Sequence, residues 1–261
     1  MMDSVNKTLY IPLYGKSCVS KRGIILHDPK AEKIWAAEGF PLKGKSASKW
    51  LSFYMGMRAA VFDRWVAQRL EEMPEATVLH LGCGMDSRAH RVGAAYRLWY
   101  DVDFPEVIAE RKKYFRETEC YRMIAADVRA DFLDQIPGET AIVVMEGISM
   151  YLKPEELQQV LTRLCQRFSG LALLMDCYTE FAARASKYRN PVNDVGVTEV
   201  TGLDDPRALE QSGLTFVGEQ DMTPSDLIDQ LTGAEKLIFK KLYAGAISRK
   251  MYRMYEFCGD E

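Results

Sequence analysis

The chain has 261 residues, 48% of them hydrophobic, which is enough for one large domain with a full core. Its formal net charge of −3 gives no basic excess of the kind that binds nucleic acid. Six cysteines without close C-x-x-C spacing and only three histidines offer no metal-site pattern and predict reduced thiols in a cytoplasmic protein. No stretch is long and apolar enough to predict a membrane span.

The N-terminal part, residues 1–75, does not show strand–helix alternation and is predicted to form a helical cap. Segments 28–38 and 53–70 have helical character, and the second carries an apolar stripe that includes Phe62, Trp65 and Val66. Arg58 lies one turn before Phe62 on this stripe. Because an unpaired buried charge is costly, Arg58 needs an anionic partner, unless its head group reaches water.

A glycine turn follows the first predicted strand, 76–81. Gly82 and Gly84 let a ligand approach the backbone, with Cys83 between them and a helix N-terminus after Asp86 and Ser87. Ser87 stands where a dinucleotide site has its third glycine, and Asp86 would lie near a pyrophosphate. The turn therefore favours a ligand without phosphates over the cofactor of a dinucleotide oxidoreductase.

A second acidic motif lies about 20 residues downstream, where a strand predicted over 97–102 leads into Asp103 and Phe104. A carboxylate at this place can accept hydrogen bonds from both hydroxyls of a ribose. The alternative is that Asp103 caps the next helix, with Glu106 completing a capping box. The glycine turn at the expected distance favours ribose binding, and the two motifs together are typical of a class I S-adenosylmethionine (SAM) methyltransferase.

From residue 76 onward, predicted strands alternate with predicted helices. Further strands are expected over 121–125, 140–145 and 170–176, with helices near 86–93, 104–116 and 154–168. This alternation predicts a mostly parallel sheet covered by helices on both faces, with ligands outside the carboxyl ends of the strands.

The residues just after the strands are therefore candidates for the site. Asp127 and the Val128 amide could contact an adenine, although Asp127 fits an Asx-turn equally well. Glu146 follows a buried strand and could bind a ligand ammonium. Tyr151 suits either the core or the site.

The region 177–204 interrupts the alternation with polar sequence, and we interpret it as an insertion that forms part of a lid. Beyond it we expect helices near 205–212, 224–232 and 234–249, a strand near 214–221, and a closing antiparallel strand over 251–257. The domain prediction is a cap, 1–75, on a SAM-binding core, 76–261.

Three segments carry a family resemblance: the glycine turn with its flanks (78–88), Asp-Val-Asp-Phe-Pro (101–105) and Glu-Gly-Ile-Ser-Met-Tyr-Leu (146–152). They resemble the leucine carboxyl methyltransferase family, which includes protein phosphatase carboxyl methyltransferases and bacterial polyketide O-methyltransferases of the tetracenomycin type. The resemblance runs from about residue 20 to residue 257. It implies a class I methyltransferase fold, α/β with a Rossmann-like seven-stranded, mostly parallel sheet, and SAM as cofactor.

The resemblance also implies roles for particular residues. Gly82 would lie under SAM, Asp103 would hold the ribose, and Asp127 with Val128 would contact the adenine. Glu146 would bind the methionine ammonium. Lys21 and Arg58 would lie near carboxylates, either that of the substrate or that of the methionine part of SAM. Tyr151 would face the substrate.

The resulting prediction is a SAM-dependent O-methyltransferase acting on a carboxylate of a small acidic molecule, with no metal, nucleic acid or membrane partner. Oligomeric state is left open. One rival is methylation of a phenol or enol, which needs a base because a phenol has a pKa near 10; His27 is the candidate. The other rival is a non-catalytic SAM-binding protein on the same fold.

Overall fold

The computed structural model describes residues 8–38, 42, 44–189 and 200–259. Its centre is a seven-stranded sheet in the order β3-β2-β1-β4-β5-β7-β6, in which β7 runs opposite to the other six strands. The strands are β1 Thr77–Leu81, β2 Leu98–Asp103, β3 Tyr121–Ala125, β4 Thr140–Met145, β5 Gly170–Tyr178, β6 Leu214–Glu219 and β7 Tyr252–Gly259. The predicted seven-stranded, mostly parallel architecture is confirmed.

Ten α-helices lie in the described part of the chain. They are α1 Tyr10–Lys21, α2 Pro29–Glu38, α3 Lys49–Glu72, α4 Arg88–Arg91, α5 Pro105–Arg111, α6 Pro154–Arg167, α7 Glu180–Arg189, α8 Ser225–Ile228, α9 Gly233–Leu242 and α10 Ala246–Met251. Short 3₁₀ helices span Gly44–Ala47, Leu133–Gln135, Ser149–Tyr151 and Pro206–Ser212.

The central strands are buried on both faces, which explains their nearly continuous apolar sequence. Along β1, Val78 packs in the same core cluster as α3, whereas Leu79 packs on the opposite face in the cluster that contains Leu161 of α6. Successive side chains of a strand point to opposite faces, so each strand contributes to both layers. The N-terminal helices share a continuous core with the sheet.

Helix α1 was not predicted. Polar residues occupy much of its buried surface, including Lys16, Ser17 and Ser20, so its sequence lacks a clear apolar stripe. Gly15 permits close packing on α3, because a Cβ there would lie 2.8 Å from the Cβ of Met55. The helix forms through its packing on α3 rather than through an amphipathic pattern.

Two boundaries near the C-terminus differ from the predictions. The region 177–204 is not irregular throughout: β5 continues to Tyr178, because Cys177 and Tyr178 pair with β7, and α7 follows. Residues 190–199 of the predicted insertion lie outside the described residues. The helix expected over 234–249 is two helices, α9 and α10, separated at Gly245, whose positive φ of 60° does not continue a helix.

Candidate active site

A cavity of about 580 Å³ opens at the carboxyl ends of β1, β2, β3 and β4, and α1, α3 and α7 form its other walls. This is where ligands bind in open α/β sheets. Ten of the eleven predicted site residues line it: Arg58, Gly82, Cys83, Gly84, Asp103, Phe104, Asp127, Val128, Glu146 and Tyr151.

The glycine turn forms one wall of the cavity. Gly82 and Gly84 have φ angles of +66° and +50°, which side-chain-bearing residues rarely adopt. A Cβ on Gly82 would overlap the Cγ2 atom of Ile148, so this position admits only glycine. Cys83 is buried between them, and burial raises the pKa of its thiol well above the ordinary range.

Asp103 is the last residue of β2 and holds the glycine turn in place. Its Oδ2 accepts a hydrogen bond from the Gly84 amide at 2.7 Å, and its Oδ1 accepts one from Phe104 at 2.8 Å. The N-cap of α5 is Phe104, so the alternative role of Asp103 in a capping box is wrong. Each carboxylate oxygen keeps a lone pair for a ligand. Burial raises the pKa of Asp103 to about 6.

Asp127 lies in the loop after β3 and makes the Asx-turn that was its alternative interpretation. Its Oδ1 accepts from the Arg129 amide at 2.9 Å, and the Arg129 side chain donates to both carboxylate oxygens. Hydrogen bonding to Arg129 lowers the pKa of Asp127. Because Asp127 and Arg129 both line the cavity, the turn and a ligand contact are compatible.

Glu146 directly follows β4 and is buried between two arginines. Its Oε1 lies 3.0 Å from Nη2 of Arg58, and Arg88 donates to its Oε2. Burial alone would raise the pKa of Glu146, but Arg58 and Arg88 hold it at about 2. The carboxylate is therefore ionised, and it retains acceptor positions for a ligand ammonium.

Arg58, the buried arginine of α3, has protein partners for its charge. Besides Glu146, its Nη1 contacts Oδ2 of Asp176 at 3.0 Å and donates to the Tyr252 hydroxyl at 3.1 Å. Two protein carboxylates thus supply the anionic partner that a buried Arg58 needs. Burial raises the pKa of Asp176, whose Oδ1 also accepts from the Gly147 amide at 2.6 Å.

The placement of Lys21 in the site is wrong. Lys21 ends α1, is exposed and does not line the cavity. Lys16 does line it, and its Nζ lies 2.5 Å from Oδ2 of Asp86. The two lysines are five residues apart, about 140° around the helix, and so face different sides. Lys16 shares a helical face with Leu13, which also lines the cavity, but the sequence of α1 has no clear apolar stripe that would identify this face.

Sequence reasoning also missed the charged residues behind the glycine turn. Arg88 and Arg91 of α4 both bind Asp63 of α3, with N–O distances of 2.7 Å from each Nε. Arg91 further contacts Asp86 at 2.6 Å. The spacing of Arg88 and Arg91, three residues apart after a glycine turn, indicates a shared helix face, but their partners come from distant segments.

The other end of the cavity contains tyrosines and apolar side chains. Tyr54, Tyr151, Tyr178 and Tyr252 line it, together with side chains such as Leu51, Met150 and Ala182. Burial raises the pKa values of Tyr54, Tyr151 and Tyr252 above the ordinary tyrosine value. These hydroxyls therefore stay protonated at neutral pH, so that each has a proton to donate, while the Tyr252 hydroxyl also accepts from Arg58. We call this group the tyrosine end.

Neither His27 nor His80 is suited to act as a base at the cavity. His27, the candidate base for a phenol, is exposed and does not line the cavity. His80 of β1 lines it, but its Nε2 faces Nη1 of Arg88 at 3.3 Å, which occupies the acceptor nitrogen. Burial lowers the pKa of His80, so it is neutral.

Over the described residues, no helix is long and apolar enough to cross a membrane. In the same part of the chain, His, Cys, Asp and Glu side chains form no group of three or more that could hold a metal ion.

The fold and the cavity define a class I SAM-dependent methyltransferase. The chain resembles, at 12% identity and a TM-score of 0.51, magnesium protoporphyrin IX methyltransferase from Synechocystis with bound S-adenosylhomocysteine (SAH), over 89% of this chain and 94% of that one. It also resembles a DUF574 family protein from Streptomyces avermitilis at 14% identity and a TM-score of 0.55, over 89% of both chains.

The leucine carboxyl methyltransferase model matches residues 9–165. The chain is 35% identical over 244 residues to the tetracenomycin polyketide synthesis O-methyltransferase TcmP of Streptomyces glaucescens, covering 91% of this chain and 90% of the relative. It is 29% identical over 183 residues to a SAM-dependent methyltransferase of Gibberella zeae, covering 64% and 61%. The chain belongs to the leucine carboxyl methyltransferase family, and SAM is its cofactor.

Proposed function

We propose that the enzyme methylates a carboxylate oxygen of a small acidic molecule. The observation that carries this proposal is the lack of a suitable base at the tyrosine end, among the residues that the structure describes there. A carboxylic acid, with a pKa near 4, is already ionised at neutral pH and needs no base, whereas a phenol with a pKa near 10 does.

The tyrosine end supplies donors rather than cations for this acceptor. The cations among the described cavity-lining residues are Lys16, Arg58 and Arg129, and each is paired with a protein carboxylate. We propose that Tyr151 donates to the acceptor oxygen that is not methylated. Such a hydrogen bond orients the carboxylate, and near-attack orientation is a large part of what enzymes contribute to transfer reactions.

The opposite end of the cavity, which we call the charged end, is lined by the glycine turn and by Lys16, Arg58, Asp103, Asp127 and Glu146, and these residues suit SAM. The glycine turn lets a ligand approach closely, and Asp103 has acceptor positions for the ribose hydroxyls. We propose that Asp127 and Val128 contact the adenine of SAM and that Glu146 binds its methionine ammonium. We also propose that Arg58 and Lys16 lie near the methionine carboxylate. When bound, SAM supplies the electrophilic methyl group.

We also propose that residues 1–75 act as a cap and that α7 belongs to a lid. The cavity walls contributed by α1 and α3 support the cap, and Ala182 and Ser186 of α7 support the lid. Exclusion of water would strengthen every charge interaction inside. Deletion of residues 1–50 should abolish turnover, and a truncated protein that stayed folded and fully active would contradict the cap.

Release of SAH from SAM should be measured against a panel of aromatic and aliphatic acids, each paired with the phenol of the same ring system. We expect turnover with acids only, and a kcat at saturating SAM that is flat from about pH 6 to 9, since no base titrates there. Turnover of phenols, with a rate rising about tenfold per pH unit, would favour the rival. SAM binding without turnover of any acceptor would favour a non-catalytic protein.

A further inference from the structure

A continuous network of ion pairs lies behind and beside the charged end of the cavity. It joins helices of the N-terminal region to the glycine turn, the end of β4 and the end of β5. Its cations are Lys16, Arg58, Arg88 and Arg91, and its carboxylates are Asp28, Asp63, Asp86, Glu146 and Asp176. We call this set the buried ion network.

The members of the network are shielded from solvent. The side chains of all nine are at most 13% exposed, with Asp63 the most accessible and Arg88 fully buried. Charges in such an environment interact more strongly than they do in water and are little screened by salt. The charge sum of the network therefore acts on anything bound in the adjoining cavity.

Four cations and five carboxylates leave one negative charge in excess. Each carboxylate has an oxygen within 3.0 Å of a cationic nitrogen. Burial raises the pKa of Asp176, and the charge of Arg58 opposes that shift. His80, which touches Arg88, adds no charge because burial and Arg88 lower its pKa.

The network reaches the cavity directly. Lys16, Arg58, Asp86 and Glu146 all line it, next to the glycine turn. Asp176 and Asp63 lie behind this lining: Asp176 holds Arg58 and the Gly147 amide, and Asp63 holds Arg88 and Arg91. Removal of either carboxylate would change the charge sum without removing a cavity-lining group.

We propose that the excess negative charge of the buried ion network distinguishes the cofactor from its product, with Asp176 as a specificity-determining residue. SAM and SAH share the adenosine, the ammonium and the carboxylate. They differ in one methyl group and in the positive charge of the sulfonium. A net negative charge nearby attracts the positive sulfonium of SAM and so raises the affinity for SAM. The sulfur of SAH is neutral, so SAH lacks this attraction. The inference depends on the cofactor and holds whichever acceptor is methylated.

The ratio of the dissociation constants for SAH and SAM isolates this effect, because contacts common to the two ligands cancel. It should be measured by calorimetric titration of both ligands into the wild-type protein and three variants. Asp176→Asn and Asp63→Asn remove the excess charge, and Lys16→Gln doubles it. The control is Asp226→Asn, which removes a carboxylate whose pair with Arg64 is exposed.

We expect Asp176→Asn and Asp63→Asn to shift the ratio about threefold to tenfold toward SAH, and Lys16→Gln to shift it by a similar factor toward SAM. Asp226→Asn should leave it unchanged. If Asp176→Asn does not fold, Asp63→Asn and Lys16→Gln still test the two opposite directions. Equal weakening of both ligands in every folded variant, or a shift in the same direction for opposite charge changes, would overturn the proposal.

Discussion

The two ends of the cavity are built differently. At the charged end, carboxylates pair with the ammonium of Lys16 in α1 and with guanidinium groups of α3 and α4, and Glu146 lies between Arg58 and Arg88. At the tyrosine end, tyrosines and apolar side chains line the cavity, and burial raises the pKa values of Tyr151 and Tyr252.

This difference separates two tasks. A network of paired charges fixes the position of each group and suits one ligand of constant structure, which is what a cofactor is. Tyrosines combine a large apolar surface with one hydroxyl group, and they suit an acceptor whose shape varies within a family. We infer that the charged end is specific for SAM and that the tyrosine end selects the acceptor.

The largest effect is expected from breaking the charged end. Arg88→Met should lower the free energy of unfolding by about 3–5 kcal/mol, because Glu146 and Asp63 lose a buried partner. Urea denaturation monitored by circular dichroism measures this change. Arg64→Met removes a pair whose side chains are both more than half exposed, and it should cost less than about 1 kcal/mol. If both variants lost the same free energy of unfolding, the buried ion pairs would contribute no more to stability than an exposed pair.

Asp103→Ala tests the cofactor half of the comparison. It should weaken SAM binding by at least about tenfold, since hydrogen bonds to a charged group contribute about 1.5–3 kcal/mol each. Calorimetric titration with SAM provides the measurement. The matched control at the other end is Tyr178→Phe, for which we expect unchanged SAM affinity. If Asp103→Ala bound SAM with wild-type affinity, the assignment of Asp103 to the ribose hydroxyls would be wrong.

Tyr151→Phe tests the acceptor half. With an acid substrate found in the SAH-release assay, we expect kcat/KM to fall about tenfold while SAM affinity stays the same, because one hydrogen bond to a carboxylate is lost. Tyr96→Phe, a tyrosine that does not line the cavity, is the control. If Tyr151→Phe lowered SAM affinity and left kcat/KM for the acceptor unchanged, Tyr151 would belong to the cofactor site and not to the acceptor site.

The smallest effect concerns pH. Because burial raises the pKa of Asp103 to about 6, this carboxylate becomes protonated as the pH falls through that value. The ionised form accepts hydroxyl protons better, so SAM affinity should be constant above pH 7 and fall about tenfold between pH 7 and pH 5. Titrations across this range with the wild-type protein and with Asp103→Asn check the assignment. A decline of the same size in Asp103→Asn would show that another group titrates.

The sequence by itself determined the sheet and the strand ends of the site. Buried parallel strands require continuous apolar runs, and glycines with positive φ are visible as residues, so Gly82, Gly84, Asp103 and Glu146 could be placed before any coordinates.

Tertiary structure decided which distant charges meet. Helix α1 has little pattern of its own, and whether Lys16 or Lys21 faces the cavity depends on how that helix packs on α3. Likewise Asp63, Arg88 and Asp176 are unremarkable in isolation. They become one network because burial in a low-dielectric interior requires each charge to find a partner, and that partner lies far along the chain.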